Sequence, residues 1–252
     1  MVVIGDMGFE NAVSFGAIKS EVATGEVDVL MHNGDLAYNL ASGYSSVGDA
    51  FMRMMQPVVA NFPYQTSCGN HEWMDTLFSS DSDFSNYVNR FSMYDMSTVA
   101  KGSQSNHFYA FHLGAALIVV FNTEFYIYKS FYSKEFARQE QWLKSVLAKG
   151  NTAESRKSHP WIIVFAHRPL YCSSLSVVDC ALYNTFYGST ENLDSFVSFH
   201  IPKWSAVRQR RFGFGIIEVV NSTHLIYQQK DEKNKIIDTV TIIQNHHGPF
   251  GN

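Results

Sequence analysis

The sequence predicts an α/β fold of mixed sheets flanked by helices. Three observations lead there. From Val2 to Ser67, short apolar runs alternate with stretches of helical spacing. A long amphipathic stretch then separates further apolar runs, and the C-terminal part reads as strands joined by tight turns. Alternating strands and helices imply a parallel sheet, and consecutive strands with short turns imply antiparallel pairing.

Taken in order, Val2–Gly5 (VVIG) is a short buried strand, since β-branched residues suit a pleated, half-buried surface. The spacing predicts a helix over Asn11–Val22. Val27–His32 (VDVLMH) is the next strand, ending at Asn33-Gly34-Asp35. Val47–Ala60 places Phe51, Met54, Met55 and Val58 on one side of a helix, with Pro57 expected to bend or end it. Tyr64–Ser67 then runs as a strand into Cys68-Gly69-Asn70-His71. This alternation calls for right-handed crossovers.

Beyond His107 the pattern changes. His107–His112 and Ala115–Asn122 are adjoining strands turning at Leu113-Gly114. Ser133–Lys149 is the clearest helix, with Ser133 as its cap, an apolar face of Phe136, Trp142, Leu143, Val146 and Leu147, and Gly150 as its stop. Trp161–Ala166 is a strand leading into His167. Phe214–Val220 and His224–Gln229 form a hairpin, and Ile236–Gln244 adds a strand across the Asp231–Lys235 turn. With no internal repeat, low-complexity tract or linker, residues 1–252 read as one domain.

Composition narrows the function. A hydrophobic content of 46% over 252 residues supports a substantial core. A formal charge of −4 offers no basic footprint for nucleic acid. The longest apolar run, Leu113–Phe121, is far short of the roughly 20 residues that span a bilayer. No signal peptide precedes the first strand. The 3 cysteines are too few for a disulfide scaffold: Cys172 and Cys180 can close a small ring, leaving Cys68 over. Asn221-Ser222-Thr223 is a glycosylation sequon. These features favour a secretory or lysosomal compartment.

The chemistry gathers at strand ends. Asp6 follows the first strand, Asp35 the second, Asn70-His71 the third and His167 a later one. In parallel α/β sheets the carboxyl ends of the strands form one edge, where ligands bind. Carboxylates, an amide oxygen and an imidazole make a mixed O/N donor set for transition metals, and an aspartate between two ions can bridge them. Alone, a Gly-Asp after a strand is usually a turn and a histidine beside an apolar strand is usually structural. The four in order, GDMG, GDLAY, GNHE and FAHRP, are far more specific.

Those motifs resemble the metallophosphoesterases and, within them, the purple acid phosphatases, from Val2 to about Pro249. The resemblance implies a β-sandwich of mixed sheets flanked by helices. It also implies Fe(III) with a divalent Fe, Zn or Mn. Asp6 then matches a ligand of the first metal, Asp35 the bridge, and Tyr38 the phenolate that separates purple acid phosphatases from other members. Asn70 and His167 match ligands of the second metal, and His71 the residue that binds phosphate and protonates the leaving group. The implied activity is acid phosphatase: hydrolysis of phosphate monoesters by a dinuclear-metal hydroxide mechanism, on small-molecule esters or phosphoproteins. His167-Arg168-Pro169-Leu170-Tyr171-Cys172-Ser173 resembles the longer, animal-type form. That form is secreted or lysosomal and places a fibronectin-like β domain ahead of the catalytic one, so this chain would open at the domain boundary.

One family motif is missing. The family supplies a further ligand to each metal from Gly-His-x-His, and this sequence has no His-x-His. The histidines after His167 are His200, His224, His246 and His247. Cys180 runs almost at once into Ser189–Phe196, which resembles sequence that the family places after the missing motif. The expectation is a shortened chain lacking one or two strands. That leaves a second reading, a catalytically impaired or non-catalytic relative, and a third, a phosphodiesterase or nuclease on the same fold.

Overall fold

The structure, a computed structural model, describes residues 1–61, 63–74, 84–93, 105–168, 205 and 207–249. Two sheets face one another. The larger has six strands in the order β3-β2-β1-β7-β8-β9, and the smaller has three in the order β4-β5-β6.

The first sheet begins as expected. β1 (Val2–Ile4), β2 (Leu30–Asn33) and β3 (Tyr64–Ser67) pair in parallel, Val2 opposite Leu30 and Asn33 opposite Ser67. β2 starts three residues later than its hydrophobic pattern suggested, because β1 is short and pairing starts at Val2. The helices between these strands are α1 (Phe15–Val22) and α2 (Ser46–Val59). α1 is shorter than predicted, with the chain turning through residues 11–14. α2 buries Phe51, Met55 and Val58 and continues past Pro57. Proline removes the N–H that would bond the Arg53 carbonyl. Both residues lie on the exposed side, where water can replace the bond.

The other half of this sheet is antiparallel. β7 (Gly213–Val219) pairs with β1 and, in a hairpin, with β8 (His224–Asp231), and β9 (Ile236–Ile243) forms the edge. The Asp231 carboxylate closes the last turn by accepting from the Lys233 and Lys235 N–H groups at 3.0 and 2.9 Å.

In the second sheet β4 (Tyr109–Leu113) and β5 (Ala116–Val120) are antiparallel, and β6 (Trp161–Phe165) runs parallel to β5. Every residue of β5 is buried. α6 (Ser133–Gly150) packs against it. Two details of this helix differ from expectation. Ser133 is its first residue and not its cap, which is Tyr132, and no side chain caps the turn. Gly150 lies inside the last turn, where a Cβ would sit 2.5 Å from Leu117 Cδ2, so the glycine admits the strand's side chain. Short helices α3 (Asn70–Met74), α4 (Ser85–Arg90), α5 (Glu124–Ile127) and α7 (Ala153–Ser158) lacked a periodic signal in the sequence. They are too short to show a repeat of 3.6 residues.

The stretch 169–204, which carries the proposed gap between Cys180 and Ser189, lies outside the described residues, as do Cys172, Cys180 and His200. Cys68 is a buried free thiol.

Candidate metal centre

β1, β2, β3 and β6 all end at the same edge of the sandwich, and the loops that follow carry the polar set. Asp6 leaves β1 and Asp35 leaves β2; Asp6 N–H donates to the Gly34 carbonyl at 3.1 Å, and Phe9 N–H to that of Ala37 at 3.2 Å. The first two loops are thereby laced together. Asp6, Asp35 and His167 each offer a ligand atom within 4.8 Å of the others, and all three are buried at 7%, 3% and 4% exposure.

The remaining candidates close around this triad. The Tyr38 hydroxyl donates to Asp6 Oδ1 at 2.8 Å. Asn70 Oδ1 lies 3.2 Å from His167 Nε2, which is 3.4 Å from Asp35 Oδ1. His71 N–H donates to Asp35 Oδ1 at 2.9 Å, and its ring lies 4.2 Å from that of Tyr38. All six residues expected from the motifs thus meet in one place.

Backbone conformation shows how tightly the loops are held. Asp6, Asp35 and Tyr38 have φ of 51°, 50° and 44°. Residues other than glycine seldom adopt this left-handed region, and strain kept by its surroundings tends to mark functional sites. Glycine is required where the loops touch. A Cβ on Gly69 would lie 2.2 Å from Asp35 Oδ1 and 2.8 Å from His167 Nε2, and one on Gly34 would lie 2.5 Å from His167 Nδ1.

Charge accounts for the chemistry. Burial alone would raise the Asp35 carboxyl, but His167 and then His71 outweigh it and hold the group below the usual carboxylate range. Burial pulls the His167 imidazole down; Asp35, followed by Asp6 and Glu124, more than reverses this and lifts it to about 10. Two buried carboxylates here need positive charge between them, since an unpaired buried charge is costly. A metal cation meets that need, and the carboxylate, amide, phenol and imidazole donors fit one.

Several residues around the site were not singled out from sequence. Glu72 accepts from the N–H groups of Asp35, Leu36 and Gly69, each at 2.8 Å, and so joins the second and third loops. Burial, then Asp35, push its carboxyl up to about 8. Asn39 Oδ1 accepts from His71 Nδ1 at 2.6 Å. Arg168 grips Glu124 with two bonds, Nε to Oε1 at 2.6 Å and Nη2 to Oε2 at 2.9 Å, anchoring the chain after His167 to α5. Glu72 is the last residue of GNHE and Asn39 directly follows GDLAY, and those positions were the available signal. Glu124 carried none.

Among the described residues, the histidines that follow His167 in sequence lie elsewhere. His224, His246 and His247 belong to the sheet end opposite Asp6, since β1 pairs with the Gly215 end of β7 while His224 pairs with Ile243. Asn221 is at that same end, exposed on a turn where its Oδ1 accepts from Thr223 and His224 N–H groups at 2.8 and 2.9 Å.

A family model for calcineurin-like phosphoesterases matches residues 1–201, and one for the iron/zinc purple acid phosphatase-like protein C matches residues 188–239. Acid phosphatase type 7 of Danio rerio is 30% identical, covering 98% of this chain and 68% of its own length. That alignment runs over 317 positions against the 252 residues here, so the fish protein contains internal residues that this chain lacks. A probable inactive purple acid phosphatase 9 of Arabidopsis thaliana is 29% identical over 73% of this chain and 30% of its own length. Among solved structures, a purple acid phosphatase from yellow lupin (Lupinus luteus) seeds shares the fold, with a TM-score of 0.69 at 19% identity. It aligns with 96% of this chain, which spans about half, 53%, of the lupin chain.

Proposed function

The chain belongs to the calcineurin-like phosphoesterase family, on its purple acid phosphatase branch, and from that membership we propose that it hydrolyses phosphate monoesters with a pair of metal ions. The observation that carries this reading is the buried triad of Asp6, Asp35 and His167, all within 4.8 Å. Asp6, Asp35 and Tyr38 would hold Fe(III). Asp35, Asn70 and His167 would hold a divalent Fe, Zn or Mn. When bound, the metals supply Lewis acidity toward phosphate oxygens and a nucleophile at mildly acidic pH.

The chain's own groups do the rest. His71 is only half-buried and so is open to solvent at the site. Its Nδ1 is engaged by Asn39, which leaves Nε2 directed elsewhere, 4.0 Å from Asp35 Oδ2. Protonated on both nitrogens, His71 can bind a phosphate oxygen and give the Nε2 proton to the departing alcohol. Glu72 keeps the Asp35 and Asn70 loops in fixed relation.

A second reading, a metal-poor and catalytically impaired member, is favoured by the lack of any His-x-His in the sequence and by the longer alignment with the fish relative. Each metal would keep three protein donors. Metal analysis of the purified chain loaded with iron and zinc, with visible spectra and assays on an aryl phosphate and a bis-ester, tests both. Stoichiometric metal, a purple band and monoester turnover support the enzyme. Metal-free, colourless, inactive protein overturns it, and preference for the bis-ester would make it a diesterase. No helix among the described residues is long and apolar enough to cross a membrane. The exposed sequon at Asn221 supports a secreted or lysosomal glycoprotein.

A further inference from the structure

We propose that Asn33 is a positioning residue that sets the ligand-bearing ends of β2, β3 and β6 in one arrangement, an inference that rests on the metal-centre reading above. Asn33 is the last residue of β2. Its side-chain Nδ2 donates to the Ala166 carbonyl at 2.5 Å, and its Oδ1 accepts from the Ser67 hydroxyl at 2.9 Å. Its backbone carbonyl accepts from His167 Nδ1 at 2.8 Å. Three atoms of one residue therefore reach two other strand ends, and one of these, β6, belongs to the opposite sheet.

Each contact lies next to a candidate ligand. Ser67 is the register partner of Asn33 and stands three residues before Asn70. Ala166 immediately precedes His167, and Asp35 follows Asn33 after one glycine. The bond to Nδ1 matters for tautomer as well as position. With Nδ1–H committed to the Asn33 carbonyl, the proton that His167 gives up on binding a metal is the one on Nε2, the atom facing Asn70 Oδ1 and Asp35 Oδ1. The Asn33 side chain holds this carbonyl and the backbone just before His167 in place, and removing such a supporting group typically changes metal affinity 10–100-fold. Asparagine is needed because the amide offers a donor and an acceptor at once. Aspartate keeps the acceptor for Ser67 but sets an oxygen against the Ala166 carbonyl, and alanine loses both bonds.

A purely structural role would lower stability and leave metal binding by the folded protein unchanged. The test is titration of the full metal-free chain with Co2+, whose d–d absorption reports coordination geometry, in parallel with thermal melting. Asn33→Ala should raise the Co2+ dissociation constant 10–100-fold and alter the position and intensity of the bands. Asn33→Asp should change both in the same direction, and it is the variant to read if the alanine form does not fold. Ser67→Ala, which removes one anchor of the amide, should give a smaller shift. Variants that melt earlier but bind Co2+ with wild-type affinity and spectrum would overturn the proposal. A wild-type chain that takes up no Co2+ would instead overturn the metal-centre reading, and this inference with it.

Discussion

Asp6, Asp35 and Tyr38 stand at positive φ, a conformation that costs a side-chain-bearing residue of the order of 1–3 kcal/mol. The bonds that hold them there come from their neighbours: the Gly34 carbonyl for Asp6 and the Glu72 carboxylate for Asp35. Asp35 is the most constrained, meeting His167, His71 and Glu72 together. Asp35→Asn removes the charge that balances His167 and that two cations would share, so the purified variant should lose both metals. Full metal content after chelator-free purification would refute the bridging role. Tyr38→Phe keeps the ring against His71 and deletes the phenol. Its visible band should disappear while turnover falls by less than tenfold, and an unchanged absorption spectrum would exclude iron at that position. Asp6, Asp35, Tyr38, Asn70, His71 and His167 were legible in sequence because they follow strands within short motifs. Glu124 was not, since its partner Arg168 is distant in the chain and only the fold joins them.

Elements position the site through polar bridges as much as through apolar packing. α6 shows both. Trp142 and Val146 fall on the predicted apolar face, yet Gln139 is buried on it too. Gln139 accepts from the Asn122 N–H at 2.9 Å and donates to the Asn122 carbonyl at 2.8 Å, closing off the end of β5 where its ladder stops. Gln139→Ala leaves two buried backbone groups without these partners and should destabilise the protein by about 2–5 kcal/mol. A chemical denaturation midpoint within error of the wild type would contradict this. Periodicity revealed where the helix would lie but gave no sign of this polar contact, because glutamine on an apolar stripe reads as an exception until its partner is known. Likewise β2 was displaced from its hydrophobic run by the register of β1, which local pattern does not encode.

At the scale of the whole molecule, desolvated histidines tie stability to pH. His107 is half-buried against the Phe84, Tyr87 and Phe125 rings, near Cys68 at 3.3 Å and Asn122 at 3.2 Å, and desolvation there pushes its imidazole down to about 4. A base with a lowered folded pKa binds fewer protons in the native state than in the unfolded one. Its contribution is therefore complete above the ordinary histidine value near 6.5 and is lost as pH falls toward 4. His107→Gln has no such dependence. The stability difference between wild type and variant, measured by denaturation of metal-free protein, should shift in the variant's favour below pH 6. The shift should be on the order of 2–3 kcal/mol by pH 4.5. A difference that stays constant from pH 7 to 4.5 would rule out this origin of acid sensitivity. His32, pushed down to about 3 chiefly by burial, adds the same trend to both proteins and cancels in the comparison.

Sequence by itself determined the class of fold, the succession of strands along the chain, and the residue types that end them, because strand alternation and short Gly-Asp or Gly-Asn motifs are local properties. It also determined that no His-x-His pair is present. Only the tertiary structure decided that Asp6, Asp35 and His167 meet within 4.8 Å. It also decided that Asn33, Glu72 and the Arg168–Glu124 pair hold the loops together and that His224, His246 and His247 lie at the far end of the sheet. The reason is that these contacts depend on strand register and on how two sheets face each other, and both are set by long-range pairing and packing.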